Sequence, residues 1–241
     1  MKNTYLLIML LVGISFNSTK AQNLVPNPSF EDTLACPNYS GQINKAESWH
    51  ASRETPDYYN ECDWLNGVTS VPSNFSGFQF AQNGVAYSGF VAAAKNFQNA
   101  REYFTCQLNN PLIIGRKYLI SFYLSFAGVP GKQLACNKIG ALLSTNDFNL
   151  TDTAHITNYC QFYTDSIIVD SLNWTKISGE FLADSAYTFL TIGNFFNDSL
   201  TDTIQVSPIT SYAYYFIDNI NLTLDSTTSY ENILSDKLTI A

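Results

Sequence analysis

The sequence has 241 residues, of which 46% are hydrophobic, 15% aromatic and only 13% charged, with a formal net charge of −8. That charge excludes nucleic acid and anionic membrane surfaces as partners held by simple attraction. The 17 Phe and 15 Tyr against 2 Met favour strands over helices, because aromatic and β-branched side chains suit a pleated, half-buried surface.

Lys2 followed by the apolar run Tyr5 to Phe16 has the form of a secretory signal, and the run is too short to span a bilayer. Small residues at Thr19 and Ala21 place cleavage so that residues 1–21 are a signal peptide and the mature chain starts at Gln22. No Cys follows the apolar run at that point, which argues against a lipid anchor. The expected product is secreted or held at the outer cell surface, with no transmembrane span after signal removal. Residues 22–224 fit one all-β domain, and 225–241 read as a linker and tail.

The opening stretch Asn23 to Asp32 (NLVPNPSFED) reads as a first strand around a Pro-Asn-Pro turn. A long irregular stretch, Asp32 to Gly77, follows. Strands are then predicted at Phe78 to Ala81 and Ala86 to Ala93, around the turn Gln82-Asn83-Gly84. Further strands are predicted at Arg101 to Leu108, Lys117 to Phe126, Lys138 to Ser144, Trp174 to Leu182 and Tyr187 to Phe196. The last is Tyr212 to Leu224. No stretch shows a capped amphipathic helix. About nine strands separated by turns predict an antiparallel β-sandwich of jelly-roll type.

The last strand carries the sharpest pattern. Tyr214, Phe216, Ile220, Leu222 and Leu224 recur with a period of two, and Asp218 interrupts that apolar face. A carboxylate on a core face must be paired or metal-bound. Glu31, in the opening stretch, is its expected partner in a cation clamp.

Five cysteines leave one over. Cys36 and Cys62 bracket a polar loop and are expected to pair. Cys136 and Cys160 bracket a second excursion and are expected to pair as well. Cys106, on one face with Phe104 and Leu108, reads as a buried free thiol.

No nucleophile elbow, zinc-binding helix or phosphate loop is present, and the expected role is non-catalytic. Glu54, Asp57, Glu61 and Asp63 read as solvated loop charges. Binding chemistry concentrates between Trp49 and Trp64. Sugar rings offer apolar C–H faces and hydroxyl edges, which aromatic platforms flanked by polar side chains match. Tyr58 and Trp64 are the expected platforms, with Arg53 and Asp57 as polar contacts, while Trp49 reads equally as a staple beneath the loop.

NLVPNPSFED and YYFIDNINL resemble the terminal strands of galactose-binding-like jelly-roll domains, which include many carbohydrate-binding modules. That resemblance implies a structural Ca2+ held by Glu31 and Asp218, and an extracellular glycan or surface polysaccharide as partner. PDYYNEC, GFQFAQNGVAYSG, REYFTCQLNNPL and YLISFYLS are similar to a domain of exported Bacteroidetes proteins. ENILSDKLTI resembles the start of a type IX secretion sorting domain. The alternative is a structural or protein-binding surface domain without a glycan site.

Overall fold

The computed structural model describes residues 22–65, 67–129, 132–148, 156–208 and 211–226. The expected signal peptide and the stretch resembling a sorting domain lie outside the described residues.

In chain order the strands are β1 (Trp49–Arg53), β2 (Asp57–Asn60), β3 (Ser73–Asn74), β4 (Gly77–Phe78), β5 (Ala86–Ala94), β6 (Tyr103–Gln107) and β7 (Lys117–Phe126). They continue as β8 (Leu134–Cys136), β9 (Ile139–Ser144), β10 (Phe162–Tyr163), β11 (Thr175–Leu182), β12 (Phe189–Asn194), β13 (Thr203–Gln205) and β14 (Tyr212–Leu224). Among the described residues the only helical pieces are three 3-10 turns. Two five-stranded sheets, β1-β6-β12-β9-β10 and β11-β7-β14-β5-β2, face each other, and every strand pair within them is antiparallel. The expected antiparallel sandwich is therefore observed.

The core between the sheets is built from residues that alternate along long strands. Tyr118, Ile120, Phe122 and Leu124 of β7 meet Phe104 and Cys106 of β6 and Leu190 and Ile192 of β12 in one buried cluster. Phe30, Trp49 and Phe104 close one part of that cluster, with ring centroids 5.2 to 6.2 Å apart. Trp49 donates its indole N–H to the Asn27 carbonyl at 3.0 Å, so it is the staple rather than a platform.

The opening stretch lies along β14 but is not a ladder strand. Leu24 N–H donates to the Leu222 carbonyl, and Ile220 N–H donates to the Pro28 carbonyl. Asn23 binds the same strand through its side chain, donating to the Ile220 carbonyl and accepting from Leu222 N–H. Two prolines within three residues cannot sustain a ladder, and side-chain amides replace it.

β14 corrects the single-face reading. Its partner on β7 runs Asp218 opposite Tyr123 and then Asn221 opposite Ser121, three steps against two. The extra residue is a bulge, and Asn219 takes the left-handed backbone it needs, with φ 50°. A one-residue slip exchanges the two faces. Tyr215 and Ile217 before the bulge, and Ile220 and Leu222 after it, therefore share the core. Tyr214 and Phe216 sit on the opposite face, in a separate cluster with Tyr59 and Tyr87.

The stretch Asp32 to Gly77, expected to be irregular, holds three strands, β1, β2 and β3, in three different sheets. β1 pairs with β6 and β2 pairs with β5, joined by a three-residue crossing at residues 54–56. All four residues of β2 are buried, which leaves no alternation to read in the sequence.

Cys36 and Cys62 are bridged, with Cα atoms 5.9 Å apart, as expected. Cys106 is a buried free thiol, also as expected. The second expected bridge is not formed: Cys136 and Cys160 are both free and buried. Cys136 packs in the main core, whereas Cys160 packs with Tyr103 and Phe195 in another cluster. Burial pushes both thiols up to about 12, which suppresses the thiolate that exchange requires.

Candidate functional site

The four expected binding residues do not converge. Tyr58 is fully buried in the core and donates its hydroxyl to the Phe30 carbonyl at 2.8 Å, so its ring offers no face to a ligand. Trp64 follows the 3-10 turn of Cys62 and is 74% exposed beside the exposed Leu65. Its surface position agrees with a platform, but it is not part of the hollow described below.

Asp57 is buried on the outer face of its sheet, where Tyr59, Tyr87, Tyr214 and Phe216 are covered by a segment that includes Val71, Phe75, Ser76 and Ala81. It accepts from Gly41 N–H at 2.6 Å and from the hydroxyls of Tyr59 and Tyr214. The Tyr59 oxygen is also 2.6 Å from Ser76 Oγ and 2.7 Å from the Tyr214 oxygen. Lys132 Nζ donates to Ser76 Oγ at 2.5 Å and lies 4.1 and 4.3 Å from the Phe75 and Tyr214 ring centres. Burial raises the Asp57 carboxyl and lowers the Lys132 ammonium to about 8. This chain of polar groups fastens the covering segment. Asp63 is likewise buried, accepting from Thr69 N–H and hydroxyl, so two of the four carboxylates expected to be solvated are structural.

Glu31 and Asp218 do meet the same turn, as peptide acceptors. Glu31 accepts from Val85 and Ala86 N–H, and Asp218 accepts from Gln82 and Asn83 N–H and from Asn219 N–H. Burial pushes Asp218 up to about 7, with these N–H groups pulling the other way. The set does not fit Ca2+, which needs six to eight oxygens where this turn presents N–H donors. No cluster of three or more His, Cys, Asp or Glu able to hold a metal occurs among the described residues.

Of the four, Arg53 alone lines a hollow that joins an exposed aromatic ring to fixed polar groups. A hollow of about 470 Å3 opens where β5 crosses to β6, at the ends of β1 and β14. Backbone pairing assembles it. Arg53 stands opposite Tyr103 on β6, Tyr212 stands opposite Ala94 on β5, and Glu102 N–H donates to the Val91 carbonyl. The connection after β5 contributes Phe97, which is 54% exposed and stacks on Tyr212 with centroids 6.0 Å apart and planes 7° from parallel.

The polar groups of the hollow are held in place. Arg101 is buried, donating to the Ala100 carbonyl at 2.8 Å and to Asp198 Oδ1 at 2.9 Å. Its Nε has no hydrogen-bond partner among the described residues. Arg53 donates to the Asn99 carbonyl at 3.4 Å, and its guanidinium carbon lies 5.9 Å from the Tyr103 ring centre. Glu102 accepts from Val91 N–H at 2.7 Å and from Thr55 Oγ1 at 3.3 Å. Burial, reinforced by the charge of Asp57, pushes Glu102 up to about 7. Near neutral pH it can therefore donate or accept a hydrogen bond. A half-exposed ring beside fixed groups of both signs suits a ligand with an apolar face and hydroxyl edges.

Sequence reasoning missed Phe97, Arg101, Glu102 and Tyr212. The available signal was an adjacent Arg-Glu pair opening an apolar strand, directly after an Asn-Phe-Gln-Asn loop.

No protein-family model matches the chain, and no curated protein matches it. Solved structures that it resembles include the CBM22-1 xylan-binding domain of Paenibacillus barcinonensis Xyn10C, at 14% identity and TM-score 0.42, covering 85% of this chain and 95% of that one. The K1 cleaved adhesin domain of Lys-gingipain from Porphyromonas gingivalis W83 matches at 11% identity and TM-score 0.41, over 82% of this chain and 96% of that one. TmCBM61, solved with beta-1,4-galactotriose, matches at 11% identity and TM-score 0.37, over 85% of this chain and 100% of that one. At these values none of the likenesses assigns a ligand to this chain.

Proposed function

We propose that this chain is a non-catalytic saccharide-binding β-sandwich of the cell exterior, with its site in the hollow between Phe97 and Arg53. The carrying observation is the pairing of a half-exposed aromatic ring, backed by Tyr212, with the fixed polar groups of Arg53, Arg101 and Glu102. Phe97 supplies contact area to a sugar C–H face, and the polar groups set orientation through hydroxyls. The Cys36–Cys62 bridge supports an oxidising compartment, in keeping with the signal-like start of the sequence.

Binding of residues 22–241 to an immobilised panel of neutral and acidic polysaccharides tests the reading. Retention of at least one polysaccharide, reduced by Phe97→Ala without loss of folding, is the expected result. If no polysaccharide is retained, or if the variant binds as well as the parent, the reading fails. A role as a structural or protein-binding surface domain then takes its place.

A further inference from the structure

We propose that the site takes an internal stretch of a polysaccharide chain rather than a single terminal sugar, an inference that rests on the reading above. A second hollow, of about 400 Å3, is lined by Ala93, Ala94, Lys95, Leu134, Asp198, Thr201, Thr203 and Gln205. It is built on the same connection as the first. Lys95 begins that connection and lines the second hollow, whereas Phe97, Gln98 and Ala100 line the first. The connection is the wall the two hollows share.

That wall is fixed by contacts at both ends. Lys95 N–H donates to the Ser211 carbonyl, next to Tyr212. Further along, Asn99 N–H donates to Asp198 Oδ2 at 2.8 Å, and Asp198 N–H donates to Asn99 Oδ1 at 3.0 Å. Asp198 thus lines the second hollow while binding Arg101 of the first. A connection pinned twice needs little ordering when a ligand arrives, which lowers the entropic cost of binding across it. The second hollow is polar, with Lys95 Nζ donating to Gln205 Oε1 at 2.7 Å and Thr203 exposed beside them. Phe97 therefore lines a first hollow whose wall is shared with a second, polar one, an arrangement that matches a sugar chain with one ring stacked and the next bonded through its hydroxyls.

Calorimetry with size ladders of cello-, xylo-, manno- and β-1,4-galacto-oligosaccharides, from one to six sugars, tests this. For at least one ladder, affinity is expected to rise tenfold or more between the dimer and the hexamer. The double variant Lys95→Ala/Gln205→Ala, at two exposed positions, should remove most of that gain while leaving dimer affinity within twofold. Phe97→Ala should weaken every length. Equal affinity at all lengths, or a double variant that keeps the full gain, overturns the chain-spanning inference and leaves saccharide binding standing. Absence of binding by every ladder overturns saccharide binding itself, and this inference with it.

Discussion

Removing the Asp218 carboxylate tests whether the bulge in β14 ties the turn at residues 82–86 to the sandwich. Asp218 has no exposed surface and accepts from the N–H groups of Gln82 at 2.8 Å, Asn83 at 2.9 Å and Asn219 at 2.6 Å. Asp218→Ala leaves three donors without that acceptor, and an orphaned buried donor costs about 1–3 kcal/mol. Gln82 is half-buried and Asn83 exposed, so water recovers part of the loss. A destabilisation of about 3–5 kcal/mol is expected. The pH dependence has a definite sign. Burial raises the carboxyl to about 7 in the folded protein. The fold therefore holds the proton more tightly than the unfolded chain. Its contribution is complete below about pH 4 and is lost as pH rises through about 7. The gap between parent and variant should be widest near pH 4.5 and should narrow towards about pH 8. Glu102 is raised over the same range, but it is present in both proteins and cancels. Urea unfolding followed by tryptophan fluorescence at three pH values measures the gap. A gap below about 1 kcal/mol at about pH 4.5, or one that widens as pH rises, would refute the argument.

Gly84→Ala should cost about 3 kcal/mol or more by thermal unfolding, because φ is +72° and an added Cβ would lie 2.2 Å from the Glu31 carboxyl carbon. Opening the Cys36–Cys62 bridge with Cys36→Ser frees a loop with a sequence separation of 26 and should lower stability by about 3.5 kcal/mol in the chain-entropy model, read by chemical denaturation. Melting temperature should be the same in millimolar calcium and in excess chelator, because Glu31 and Asp218 are already satisfied by peptide N–H groups. A rise with calcium would instead indicate that the turn rearranges to present oxygens.

Where side chains alternate without interruption, the fold was legible from the residues alone. The bounds of β7 and β14 match the alternating runs Lys117 to Phe126 and Tyr212 to Leu224. The pattern misled at Asp218-Asn219, since a bulge preserves the look of a strand while exchanging its faces, and Asn is a residue that accepts left-handed backbone. It failed altogether for β2, where burial on both faces removes the period. The candidate site was legible only at Arg53. Tyr58 and Asp57 have the right chemistry, but pairing between β2 and β5 turns one into the core and the other beneath the covering segment. The hollow itself depends on three chain segments meeting at a sheet-to-sheet crossing, and no local spacing encodes that meeting.

The most direct test of the central claim compares polysaccharide retention by the parent with that of Phe97→Ala and Arg53→Gln, using affinity electrophoresis in gels that contain each polysaccharide. Saccharide binding in this hollow requires that at least one polysaccharide slow the parent, that Phe97→Ala abolish most of the retardation, and that Trp64→Ala leave it unchanged. Equal migration of the parent with and without every polysaccharide, or retardation lost through Trp64→Ala and kept in Phe97→Ala, would contradict it.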